Sequence, residues 1–129
     1  MFKEILISVI VIIAIIILNI VTQNYTDHSV YSMSEELSRV REEIKIKPEN
    51  NINLSKDLDN IYFKWKELNE KLSYYIEHDE LEKVETEIVS MKSNIEMKQY
   101  DDSILDIDRC VFILQHIREK NSFNLKNIF

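Results

Sequence analysis

Ile5 to Val21 reads ILISVIVIIAIIILNIV, a run that carries no charge and is interrupted only by Ser8 and Asn19. As a helix rising about 1.5 Å per residue it would reach roughly 26 Å, close to the ~30 Å hydrocarbon core of a bilayer. The core helix of a water-soluble protein keeps a polar face, and this run has none. It therefore predicts a membrane span, with everything after it held beside a membrane.

A removable secretory signal combines a basic start, a shorter apolar core and small residues at the cleavage point. Lys3 supplies one basic residue, and the continuation Asn19-Ile20-Val21-Thr22-Gln23-Asn24-Tyr25 offers no Ala-x-Ala pattern. The expectation is an uncleaved signal anchor over residues 1–24 and a separate helical domain over 25–129. Lipid attachment behind the run would need a cysteine there, and the one cysteine, Cys110, lies far downstream. Basic residues near a span are retained in the cytoplasm. Lys3 and the terminal amine precede the run, whereas the first lysine or arginine after it is Arg39. A single-pass protein of the cell membrane with an extracytoplasmic C-terminal domain is expected.

The chain of 129 residues has no glycine and one proline, Pro48, with 45% hydrophobic and 30% charged residues. Tight hairpins draw on glycine's access to positive φ, so this composition predicts an all-α fold. Glycine-rich phosphate loops and dinucleotide fingerprints are excluded with it. A formal net charge of −7 and a pI near 5.0 argue against nucleic-acid binding and against lying flat on anionic lipid. One cysteine forms no internal disulfide, so packing must supply the stability of a single small domain.

Beyond the span, Asn24 to Asp27 reads as a short polar link, with Thr26 or Asp27 capping the next helix. Val30, Met33, Leu37, Val40 and Ile44 then alternate by three and four, the spacing of a helix seam in a bundle or a dimeric coiled coil. Lys47 to Leu54, containing Pro48, Asn50, Asn51 and Asn53, reads as a loop, with Ser55 as the following cap. The second helix places Leu58, Ile61, Trp65, Leu68, Leu72 and Ile76 inward, with Trp65 at the centre of the core. At His78 that pattern breaks: continuing it would bury Asp79, Glu82 and Thr86, whereas the apolar set restarts at Leu81, Val84, Ile88, Met91 and Ile95. The slip of two residues is about 200° around a helix, so a turn at His78 and Asp79 is favoured over one long rod, with Asp79 and Glu82 as a capping box. A fourth helix is capped by Asp101, with Tyr100 and Leu105 as a hydrophobic staple. It buries Ile104, Ile107, Cys110, Val111, Leu114 and Ile117, and stops near Lys120 and Asn121. The apolar tail Phe123, Leu125, Ile128 and Phe129 either packs back on the bundle or docks on a partner. The fold class is an N-terminal transmembrane helix followed by a small antiparallel bundle of about four helices.

Histidine and acidic residues form the only chemical set. His78 with Glu82, and His116 with Glu119 or Lys120, stand at helical spacings, and two imidazoles with a carboxylate can hold zinc. The structural alternative puts both histidines near helix C-termini, bonded to terminal carbonyls. Asp101, Asp102, Asp106 and Asp108 lack the loop and glycine of an EF-hand. Cys110 sits one turn from Ile107 and Leu114 and reads as a buried, inert thiol. No catalytic, cofactor or metal residue is assigned.

The Ile-rich N-terminal span, Trp65 leading to Tyr75, Ile76, His78 and Glu80, then His116 and Ile117, then Asn127 and Ile128, together resemble domain-of-unknown-function family 4363. These are small single-span helical proteins of spore-forming Gram-positive bacteria. The resemblance covers nearly the whole chain and implies a membrane-anchored helical protein with no established activity. Its members are often encoded near polytopic membrane proteins, which implies a partner subunit. If the family's histidines act beyond packing, His78 and His116 are where the match places them. The expected function is a non-enzymatic interaction or accessory module for a membrane partner or a second copy, with Val30 to Ile44 and the tail as contact surfaces. A metal-binding sensor or metal-dependent enzyme using His78 and His116 is the alternative.

Overall fold

The computed structural model describes residues 1–46 and 52–128, with side-chain surroundings for 1–46 and 53–121. Among the described residues four helices follow one another: α1 Phe2–Ile46, α2 Ile52–Leu72, α3 His78–Glu96 and α4 Tyr100–Ile128. They close into a ring in which α1 packs on α2 and α4, and α3 on α2 and α4. Asp27 meets Arg118, while Arg41, further along α1, meets Asp108, earlier on α4, so these two helices run antiparallel.

One repeat builds the core. Thr26, Val30, Met33, Leu37, Val40 and Ile44 of α1 are buried at alternating spacings of four and three. Leu54, Leu58, Ile61, Trp65, Leu68 and Leu72 repeat the pattern in α2, and Leu81, Val84, Ile88, Met91 and Ile95 in α3. Ser103, Ile107, Cys110, Leu114 and Ile117 complete it in α4. A 3.5-residue period on every helix keeps each apolar stripe facing the bundle axis, as in four-helix bundles generally. Trp65 is wholly buried, as its central place in the second stripe predicts.

Burial of the Val30 to Ile44 stripe within its own chain corrects the expectation that it is a contact surface. Leu37 and Val40 are both 0% exposed, so the seam is consumed by the bundle. Exchange of either for aspartate would place an unpaired charge in the core and unfold the domain rather than free a partner.

The polar link expected at Asn24 to Asp27 is absent, and neither Thr26 nor Asp27 caps a helix, because α1 runs through them unbroken. Each of these polar residues lowers helix propensity by only a few tenths of a kcal/mol, and no proline or glycine interrupts them. Hydroxyls close on their own helix instead: Ser8 donates to the Glu4 carbonyl at 2.9 Å, Thr22 to Asn19 at 3.0 Å and Thr26 to Thr22 at 2.8 Å. Such local bonds satisfy polar groups in an apolar segment.

The helix boundaries differ from the sequence expectation in three further places. Helix α2 starts at Ile52, so Asn53, Leu54 and Ser55 lie inside it and Ser55 is not its cap; Lys47 to Asn51, including Pro48, lie outside the described residues. Helix α3 starts at His78 with Glu77 in the N-cap position and no side-chain cap bond, so Asp79 and Glu82 form no capping box. Helix α4 starts at Tyr100, placing Asp101 in its first turn, and Leu105 is 54% exposed and staples nothing. It also runs past Lys120 and Asn121 to Ile128; the packing expected of Phe123, Leu125, Ile128 and Phe129 falls outside the described side chains.

The α3–α4 connection solves a reversal without glycine. Lys98 takes the left-handed conformation at φ 58°, its N–H bonding to the Ile95 carbonyl at 3.1 Å while Gln99 N–H bonds to Asn94 at 2.8 Å. This is the Schellman pattern, with lysine standing where glycine is usual.

Candidate functional site

The side chains with chemical potential gather at the end of the bundle nearest the apolar run, where α1 around Thr22 to Tyr31, the α2–α3 turn and α4 around His116 to Asn121 converge. Tyr75 ties the turn to α1. Its hydroxyl bonds to Thr26 Oγ1 and reaches the Thr22 carbonyl at 3.4 Å. Thr26 also bonds to the Thr22 carbonyl at 2.8 Å, so the two hydroxyls and that carbonyl form one cluster. Partial burial raises the Tyr75 pKa above the ordinary tyrosine value, the bond to Thr26 offsetting this in part.

Beside it, Glu80 faces an imidazole and an ammonium group. His116 Nε2 stands 4.0 Å and Lys120 Nζ 3.9 Å from Glu80 Oε1, and Lys120 lies 3.4 Å from Glu77. Tyr75, Ile76, Glu77, Glu80, Ile117, Lys120 and Asn121 line a cleft of about 90 Å³, room for a few water molecules. On the flank, Arg118 pairs with Asp27 and lies 5.6 Å over the Tyr31 ring. The Asp27 bond raises the Arg118 pKa, and a hydrogen bond to Glu35 raises that of Tyr31.

The two histidines occupy one end of the bundle but engage different carboxylates. His78 Nε2 is 4.0 Å from Glu82 with its side chain 83% exposed, whereas His116 faces Glu80. Among the described residues no three histidine, cysteine or acidic side chains converge closely enough to hold a metal ion. Neither histidine caps a helix C-terminus: His78 opens α3 and His116 lies inside α4, which corrects the structural reading of both. His28 lines a shallow groove between α1 and α2 with Tyr25, Glu36 and Lys64.

The aspartates of α4 disperse. Asp101 and Asp102 lie in its exposed first turn, and Asp108 accepts from Arg41 at 2.7 Å. Asp106 is 1% exposed and accepts from Ser90 Oγ at 2.9 Å and Asn94 Nδ2 at 2.6 Å on α3, and from Arg109 on its own helix. Sequence reasoning misses this node. Its signal is the polar pair Ser90 and Asn94, one turn apart and flanking the buried Met91, opposite an acid beside the buried Ile107. Cys110 is buried as expected, and desolvation pushes its thiol up to about 12.

Ion pairs join every neighbouring pair of helices: Glu36 with Lys64, Asp59 with Lys92 at 2.6 Å, Glu87 with Arg109 at 3.2 Å, and Arg41 with Asp108 at 2.7 Å. Half-exposed pairs of this kind add little stability, but they oppose any alternative register.

The architecture is that of a four-helix bundle whose first helix continues as an apolar segment with its residues exposed, long and apolar enough to cross a membrane. The chain belongs to the family described as Domain of unknown function (DUF4363), which matches residues 20–128. Comparisons with curated proteins and with solved structures return no match.

Proposed function

We propose that this protein is a single-pass, membrane-anchored accessory module that binds a membrane partner and performs no catalysis. Residues 1–24 serve as the anchor in the cell membrane, with the N-terminus cytoplasmic, and residues 25–129 form the domain presented outside. The observation that carries the reading is the continuity of α1. Its apolar run, exposed at Ile5, Val9, Ile12 and Leu18 among others, passes without a break into the stripe that starts the bundle core at Thr26 and Val30. Exposed apolar surface of this extent calls for lipid or another apolar helix. A rigid connection to the core supports transmission of any rotation of the anchor to the bundle. With the Val30 to Ile44 stripe buried, the anchor itself becomes the leading contact surface for a partner helix.

The test is crosslinking of the full chain in its native membrane, with a span-deleted chain as control. Recovery of one polytopic membrane protein with the anchored form alone is expected. Recovery of no protein other than this chain would contradict the accessory role.

A further inference from the structure

The end of the bundle nearest the apolar run carries three tyrosines, each more than a third exposed. Tyr74, at the tip of the α2–α3 turn, is 89% exposed, Tyr75 is 39% exposed, and Tyr25 of α1 is 37% exposed. A tyrosine at 89% exposure contributes almost nothing to the core. Its position supplies the explanation.

The Tyr75 hydroxyl reaches the carbonyl of Thr22, the first residue after the apolar run, and bonds to Thr26 one turn later. The turn is thereby fixed beside residues 22–26 of α1. Four residues of helix rise about 6 Å, and the headgroup layer of one leaflet is about 5–7 Å deep. If Ile5 to Val21 fills the hydrocarbon, Thr22 to Thr26 crosses the headgroups, and the turn bonded to them lies in the same layer. The run is also a few Å shorter than a typical core, which draws the flanking residues toward the membrane rather than away from it. Lys71 adds a cation 5.5 Å from the Tyr25 ring at this level.

We infer that Tyr25, Tyr74 and Tyr75 form a membrane-interface collar that seats the α2–α3 turn in the lipid headgroup layer and fixes the bundle's orientation on the bilayer. Tyrosine suits this place because its ring enters the apolar boundary while its hydroxyl stays hydrated. The domain's acidity makes zwitterionic lipid the fitting surface, since Glu77, Asp79 and Glu80 stand close to the turn. The inference rests on the spanning reading of α1, and its test separates the two.

The full chain is reconstituted in phosphatidylcholine vesicles brominated either near the headgroup or at mid-chain, which quench indole emission at the corresponding depth. Three single variants are compared with the parent, whose one tryptophan, Trp65, is buried. Ile12→Trp reports the span. Tyr74→Trp reports the collar and, being exposed, leaves packing intact. Phe63→Trp, 66% exposed on α2, reports the bundle well above the interface. Tyr74→Trp is expected to lose most of its added emission to headgroup-proximal bromine and little to mid-chain bromine. Ile12→Trp should show the reverse, and Phe63→Trp should be unaffected by either. Emission from Tyr74→Trp as insensitive as that from Phe63→Trp, with Ile12→Trp quenched, overturns the collar and leaves the span standing. An unquenched Ile12→Trp overturns the span and the collar with it.

Discussion

Replacing Asp106 by leucine tests whether the α3–α4 interface is organised by a buried carboxylate. The side chain is 2% exposed and accepts from Ser90, Asn94 and Arg109. Arg109 is 57% exposed and keeps Glu87 as a partner at 3.2 Å, so its share of the loss is small. Ser90 and Asn94 are left as part-buried donors without that acceptor, at a cost of about 1–3 kcal/mol each. Removing the desolvated carboxylate recovers part of this, leaving an expected loss of about 3 kcal/mol. The converse follows from the same reasoning. Asp106→Leu combined with Ser90→Ala and Asn94→Leu replaces the whole network by apolar groups and should regain most of that stability. Denaturant unfolding of the full chain in mild detergent, followed by Trp65 emission, gives the comparison by linear extrapolation. A single variant within about 1 kcal/mol of the parent, or a triple variant as unstable as the single, would refute the reasoning.

Three more outcomes follow. Lys98→Gly should stabilise the chain by about 1 kcal/mol, because glycine takes the left-handed conformation without the clash a Cβ incurs; the same unfolding assay reads it. Tyr75→Phe should destabilise by about 1 kcal/mol through loss of the hydroxyl joining the turn to Thr26 and Thr22. Cys110, its thiol pushed from 9.0 to about 12 by burial, should resist a disulfide-exchange reagent at pH 8 until denaturant is added. In the unfolded chain that thiol ionises first, so the folded state holds the extra proton between the two values. Stability should therefore fall as pH rises above about 9, by at most ~1.4 kcal/mol per unit from this group, and Cys110→Ala should remove that component.

The repeat of apolar residues makes most of the fold legible in the sequence. Val30 to Ile44, Leu58 to Leu72, Leu81 to Ile95 and Ile107 to Ile117 all face inward as their spacing predicts. The two-residue slip at Leu81 separates α2 from α3, because a continuous helix would have turned its stripe to solvent, but the turn lies at Ser73 to Glu77 and not at His78 and Asp79, which already belong to α3. Helix ends are less legible. Thr26, Ser55, Asp79 and Asp101 all have cap chemistry, yet each lies within a helix, because a small propensity cost does not end a helix whose neighbours still pack. Asp106 illustrates a different limit. Its carboxylate is meaningful only opposite Ser90 and Asn94, and that pairing is created by the α3–α4 reversal at Lys98. The gathering of Tyr25, Tyr74 and Tyr75 arises in the same way: the antiparallel return of α2 brings its end beside the start of the bundle part of α1.

The most direct test of the anchored-module account is topology in intact cells. Because Cys110 is buried, cysteines introduced singly at Lys3 and at exposed Lys56 report their own surroundings to a membrane-impermeant maleimide. The account predicts labelling of Lys56→Cys in intact spheroplasts, and of Lys3→Cys only after the membrane is opened. Labelling of Lys3→Cys in sealed spheroplasts, or release of the chain in soluble form, would contradict it.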